Sequence, residues 1–247
     1  MAGRGLSVTV AQQRKGEWQV AGTTVNSFRI SELGLSDEVL AFAELEKDPL
    51  FHKIAPGKYS YYIARSLEMG RAAAVPLQGQ PVRCLLEQAG VAFEIKPASG
   101  SSALRLALRA QLDFSGRTPW INVYQDSMEQ LREAALAGGG AYGALSLDEV
   151  MDIHLAHEYY HLLEYRADQF TSDVLEPVEC MRIGPFRRQA AILQASEIAA
   201  HAFCKELLNL PYLPSLLDNI YVWQTSKLER VQIQEIVGRW KAIVGER

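Results

Sequence analysis

Residues 157–161 read His-Glu-Tyr-Tyr-His, the pattern HExxH. On an α-helix, residues four apart share a face, so His157 and His161 can present both imidazoles to one ion. Glu158 is the next residue along and projects beside that ion. Two neutral imidazoles suit Zn²⁺, and an adjacent carboxylate suits a general base that takes a proton from an activated water. The pattern therefore requires a helix, and the flanking sequence predicts one. Ser146 and Glu149 have the S-x-x-E spacing of a capping box, with Asp148 also in the first turn. Val150, Ile153, His154, His157 and His161 recur at helical spacing, as do Met151, Leu155, Glu158 and Leu162. No Gly or Pro interrupts residues 146–166, which predicts a helix of about five turns.

A catalytic zinc ordinarily takes a third protein ligand and keeps a fourth position for water. The metzincin extension needs Gly at 164 and His at 167; the chain has Glu164 and Ala167, which excludes that subclass. Glu176, Glu179, Glu197 and His201 are the downstream candidates. Glu164 and Asp168 are too close on the same helix to fold back easily. Glu197 lies in Phe186–Leu210, read here as a long apolar-periodic helical stretch entered after Pro185. Ala190, Leu193, Glu197, Ala200, His201, Cys204 and Leu208 recur there at three- and four-residue steps. A lone Glu on so apolar a face is costly to bury unless it is paired or ligates a metal; the alternative is a solvated Glu at the edge of the stripe.

The segment from Glu197 to Pro211, Glu-Ile-Ala-Ala-His-Ala-Phe-Cys-Lys-Glu-Leu-Leu-Asn-Leu-Pro, resembles the second signature of the ImmA/IrrE-type metallopeptidases. In that family the signature is roughly E-x-x-A-[ND]-x-F-A-x-x-L-L-x-P and follows an HExxH helix. The likeness covers about Pro81 to Pro211, roughly half the chain. It implies a zincin-like, gluzincin-like fold in which Glu197 completes a zinc site with His157 and His161. It also implies hydrolysis of peptide bonds, with repressor-type proteins as the analogous substrate class. The sequence departs from the family pattern in four places. Tyr160 stands where Gly is usual, His201 stands where Asn or Asp is usual, Pro211 comes one residue late, and the link from His161 to Glu197 is long. His201 is therefore read as a partner to a ligand or as an alternative ligand. His154, one turn before His157, is read as an oxyanion donor, with the phenols of Tyr160, Tyr212 and Tyr221 as further candidates.

Elsewhere the periodicity predicts helices at Leu35–Lys47, capped by Ser36, at Tyr59–Ala74, at Pro81–Gln88, stopped by Gly90, and at Gln125–Leu136. Leu213–Val244 reads as mostly helical. Leu104–Phe114 alternates apolar and polar residues, as expected of an antiparallel strand with one wet face. Trp120–Tyr124 reads as its partner and as a candidate edge strand beside the metal that would hold a peptide backbone, the alternative being an ordinary structural hairpin. Val91–Lys96 reads as a third strand, and Leu6–Val10 with Trp18–Ile30 as a small hairpin. Gly138-Gly139-Gly140 reads as a break before the metal helix, serving as a linker or a lip over the site.

The fold class expected is α+β, a mainly helical zincin-like domain with a small antiparallel sheet beside the HExxH helix. Residues 1–80 form an N-terminal mixed region and residues 81–247 the metallopeptidase domain with its C-terminal helices. With 25 Lys and Arg against 29 Asp and Glu, the net charge of −4 exerts no bulk pull on nucleic acid. No stretch approaches the length needed to span a bilayer. The start, Met-Ala-Gly-Arg-Gly-Leu, lacks an apolar signal core. Cys84, Cys180 and Cys204 are too few and odd in number for a disulfide scaffold. The expectation is a cytoplasmic zinc metallopeptidase with a protein or peptide substrate, no nucleic-acid partner and no membrane partner. The alternative is a degenerate member, a metal-binding interaction protein without hydrolytic activity.

Overall fold

A computed structural model of the chain describes residues 30–96, 109–114, 118–138, 142 and 144–246. After a 3₁₀ turn at Ile30–Leu33 come α1 (Asp37–Leu45), α2 (Tyr59–Ala74) and α3 (Val82–Gln88). Strand β1 (Ala92–Lys96), strand β2 (Ala110–Asp113) and strand β3 (Trp120–Tyr124) lead into α4 (Gln125–Ala137) and the HExxH helix α5 (Leu147–Ala167). The short α6 (Thr171–Val174) precedes a hairpin of β4 (Val178–Ile183) and β5 (Phe186–Ala190). Three helices close the chain: α7 (Gln194–Leu208), α8 (Ser215–Thr225) and α9 (Arg230–Val244). The architecture is α+β and mainly helical. Among the described residues, no helix is long and apolar enough to cross a membrane.

The helix starts follow from local chemistry. The Ser36 hydroxyl accepts the Val39 N–H at 3.1 Å and caps α1. At α5 the box closes in both directions: Ser146 Oγ accepts the Glu149 N–H at 3.2 Å, and Glu149 Oε2 accepts the Ser146 N–H at 2.8 Å. Asp168, in the left-handed region at φ 49°, ends the helix.

Several sequence expectations need correction. Phe186–Leu210 is not one helix. Gly184, at φ +57°, and Pro185 form the turn of a hairpin, Phe186–Ala190 is a strand, and the helix begins only at Gln194. Pro185 suits a helix start, but after a glycine in the left-handed region it suits a turn equally well. The sheet order is β1-β3-β2, so Trp120–Tyr124 is the central strand and not an edge. β2 pairs antiparallel with β3 as expected, whereas β1 runs parallel to it. Of the long strand read at Leu104–Phe114, Ala110–Asp113 is strand; residues 97–108 lie outside the described residues, as do the N-terminal hairpin up to residue 29 and Gly139-Gly140.

Helix α5 is wedged against α7, and α7 in turn lies along α2. Asp37 ties this layer together, accepting Arg71 of α2 at 2.6 Å and Lys205 of α7 at 2.7 Å. Buried residues from both sides of residue 80 share one core, including Phe42, Leu67, Leu155, Leu162 and Phe203. Gly70 permits the closest approach: a Cβ placed there would stand 2.0 Å from the backbone oxygen of Ala199, two residues beyond Glu197. Relief of that clash requires a helix to move. Replacing Gly70 with Ala is expected to cost about 2 kcal/mol by overpacking, after about 1 kcal/mol of improved helix propensity is set against it. Urea unfolding of the two proteins checks this; equal midpoints would contradict the close packing.

Candidate metal centre

Helix α5 sets His157 and His161 one turn apart, and α7 brings Glu197 against them. The potential ligand atoms of these three residues all lie within 4.8 Å of one another, so the group could hold a metal ion. Glu197 bridges the two imidazoles: Oε2 is 3.1 Å from His157 Nε2, and Oε1 is 3.5 Å from His161 Nε2. The two Nε2 atoms are themselves 3.1 Å apart. Both rings therefore present the same nitrogen to one point.

What fixes that orientation on His161 is Glu164, one turn further along α5. His161 Nδ1 donates to Glu164 Oε2 at 3.0 Å, which leaves Nε2 as the lone-pair nitrogen a metal requires. Glu164 is buried, with 4 % of its surface exposed. Its other oxygen accepts the Thr171 N–H at 2.7 Å and the Ser196 hydroxyl at 3.0 Å. One carboxylate thus joins α5, α6 and α7 around the site. Sequence reasoning considered Glu164 only as a ligand; its i,i+3 relation to His161 is the signal for a partner.

The electrostatics agree with a cation site. Burial pushes the His161 imidazole down, but its bonds to Glu164 and Glu197 outweigh this and raise its pKa to about 10. Burial pushes the Glu197 carboxyl up, and its bonds to His157 and His161 reverse that and hold it well below the usual carboxylate range. In the absence of a metal a proton is held among these groups, in the place where a cation would compensate the carboxylate.

Glu158 turns to the other side of the same helix face, toward the sheet. The backbone N–H of Leu112 in β2 donates to its Oε2 at 2.9 Å. Arg109 C=O accepts the Tyr124 N–H at 3.1 Å, so the backbone groups of Arg109, Gln111 and Asp113 face β3 and those of Ala110 and Leu112 face outward. The edge beside this group is therefore β2. A cleft of about 520 Å³ opens over the centre, bounded by β2, by Phe114 and Tyr165, by Glu44 of α1 and by Lys47 in the turn after it. Phe114 and Tyr165 stack with centroids 4.0 Å apart. Two cations on its wall are committed to carboxylates, Lys47 to Glu44 at 2.6 Å and Arg109 to Asp218 at 3.2 Å. No sequence signal pointed to α1 as part of this wall, because Glu44 and Lys47 lie more than a hundred residues before the motif.

The remaining candidates fall as follows. His201 is buried, its ring 4.9 Å from that of His157 and its Nε2 4.0 Å from Glu44 Oε2; its Nδ1 has no hydrogen-bond partner among the described residues. Burial holds His201 well below the usual imidazole range, so it is neutral, and it is not one of the three grouped residues. His154 lines the cleft, but its Nδ1 donates to Val150 C=O at 2.8 Å, and desolvation lowers its pKa to about 4. The neutral ring then offers only a lone pair at Nε2, which accepts and does not donate. Tyr160 is buried against Phe203, with its hydroxyl 2.7 Å from Thr171 Oγ1. It occupies the interior where Gly would leave room, and points away from the cleft. Tyr221 lies beneath the Arg109 guanidinium, 4.6 Å from its ring centre. Glu176 pairs with Lys58 and Glu179 with Arg182, both away from the centre.

No protein-family model, no curated protein and no solved structure matches this chain.

Proposed function

We propose that the chain is a metal-dependent peptidase of the ImmA/IrrE type, with His157, His161 and Glu197 holding Zn²⁺. The observation that carries this reading is the convergence of two Nε2 atoms and one carboxylate from separate helices, with Glu158 beside them at the foot of an open cleft. A zinc ion held there would supply Lewis-acid polarisation of a carbonyl and a water acidic enough to lose a proton near neutrality. Glu158 takes that proton as general base and delivers it to the leaving amine. Glu164 keeps His161 in the tautomer that binds. The outward N–H and C=O of Ala110 and the outward C=O of Leu112 on β2 offer an extended peptide its backbone partners. A repressor-type protein substrate is part of the same proposal and rests on the family likeness alone.

The test is cleavage of a proteome-derived peptide pool by zinc-loaded protein, read by mass spectrometry. Products that vanish on chelation and return with zinc support the reading. A protein that takes up zinc but cuts nothing would instead support the metal-binding interaction protein, the reading in which the site is held but chemically idle.

The contact between Leu112 and Glu158 yields a separate prediction. The Leu112 N–H faces away from β3, so Leu112→Pro removes the bond to Glu158 without removing a ladder bond. Misplacing the base is expected to slow cleavage by up to about 10²-fold. Leu112→Ala keeps the N–H and is expected to stay close to the parent rate. Equal rates for the two variants would show that this contact does not position Glu158.

A further inference from the structure

The β4–β5 hairpin sits in the segment joining α6 to α7, and its chemistry is unrelated to the metal centre. Its tip reads Ile183-Gly184-Pro185-Phe186. Ile183 and Phe186 are 67 % and 79 % exposed, and Met181 behind them is 50 % exposed. Soluble surfaces rarely concentrate large apolar side chains at a protruding point without a binding role. The register pairs Ile183 with Phe186, Arg182 with Arg187 and Met181 with Arg188. Alternation then places Met181, Ile183, Phe186 and Arg188 on one face and Arg182 and Arg187 on the other. Every residue from Met181 to Gln189 is exposed, so neither face is covered by the other described residues.

We propose that this tip is an interfacial anchor that seats in the headgroup region of an anionic lipid surface. The order of chemistry along the hairpin carries the assignment. The end is apolar and aromatic, and arginines follow behind it, Arg182 and Arg187 one register step back on one face and Arg188 two steps back on the other. An insertion of that shape puts the ring and the branched chain at the acyl boundary and the guanidiniums at the level of the phosphates. Guanidinium is suited to that level because it binds phosphate oxygens in a bidentate fork. A groove on a protein partner would cover one face and leave the cations of the other idle. Charge favours the same occupant. Arg182 and Arg187 share one carboxylate, Glu179, which lies 2.8 Å from Arg182 and 3.7 Å from Arg187. The Arg188 side chain has no ion-pair partner among the described residues, and the Lys53 charge acts on Glu179 at the hairpin base. This basic tip is local on a chain whose net charge is −4. Association through one short hairpin is weak, reversible and sensitive to salt. It assigns a surface partner that composition and the absence of an apolar span did not suggest.

The experiment is sedimentation of the full chain with vesicles of phosphatidylcholine alone and of phosphatidylcholine with about 30 % phosphatidylserine, at low and at physiological salt. The wild type is expected to bind the anionic vesicles, and roughly tenfold less to the neutral ones. The double variant I183S/F186S and the triple variant R182Q/R187Q/R188Q are each expected to lose roughly tenfold in binding. Their metal content and circular dichroism, unchanged from wild type, show that they are folded. No binding of wild type to the anionic vesicles overturns the proposal, as does undiminished binding by I183S/F186S. A wild-type dimer that I183S/F186S abolishes, without vesicle binding, would assign the tip to a protein contact instead.

Discussion

Replacing Glu158 with Gln is expected to lower peptide cleavage by about 10²- to 10⁴-fold, the usual contribution of a positioned general base, while the protein keeps its metal. The amide has nearly the shape of the carboxylate, and its oxygen still accepts the Leu112 N–H that now holds Glu158 Oε2 at 2.9 Å. What it lacks is a basic oxygen. Because Glu158 is not among the three grouped residues, metal content measured on the same preparation should equal that of the parent. Cleavage at the parent rate by E158Q would remove Glu158 from the mechanism. Loss of metal in E158Q would instead show it to be a ligand.

The second large effect concerns Glu164. Its carboxylate satisfies His161, the Thr171 N–H and the Ser196 hydroxyl in the interior. Truncation to Ala leaves those donors without an acceptor and is expected to destabilise the protein by about 3 kcal/mol, as is usual when one partner of a buried pair is removed. Glu164→Gln keeps an acceptor but not the charge, and is expected to weaken metal binding by about 10- to 100-fold. The metal-free protein adds a pH signature. Bonds from His161 and Thr171, against the opposing effect of burial, hold the Glu164 carboxyl below its ordinary 4.5, so its share of stability is present above that value and lost as pH falls. His161 is raised from 6.5 to about 10, so its share is complete below 6.5 and lost as pH rises through 10. The stability difference between metal-free wild type and E164Q should therefore be greatest near about pH 5–6 and shrink on both sides. Denaturant unfolding across that range measures it; a difference independent of pH would mean that the pair carries no charge interaction.

Much of the helical frame was legible in the sequence because its signals are local. The S-x-x-E box at Ser146, the cap at Ser36 and the apolar periodicity of Tyr59–Ala74 each act within a few residues, and the helices start where those signals fall. The grouping of His157, His161 and Glu197 was legible for a similar reason: HExxH fixes two imidazoles on one helix face, and Glu197 is conspicuous as a carboxylate on an apolar helix. What failed depended on partners distant in sequence. Whether Trp120–Tyr124 is central or at an edge depends on where β1 and β2 dock, and alternation along one strand contains no such information. Phe186–Ala190 has apolar residues at spacings a helix would accept, and only the positive φ of Gly184 turns them into a returning strand. Glu44 and Lys47 reach the cleft because α1 packs beside α7, a tertiary fact with no motif attached. His154 looked like a donor by helical spacing, but its tautomer is set by the Val150 carbonyl one turn earlier.

The metal centre is tested by the metal content of purified protein, measured beside His157→Ala and Glu197→Ala variants whose folding is verified by circular dichroism. About one equivalent of metal is expected in the wild type, as isolated or after zinc reconstitution, and its loss in both variants. No metal in reconstituted wild type, or one equivalent retained by both variants, would contradict the assignment of His157, His161 and Glu197 as the metal centre.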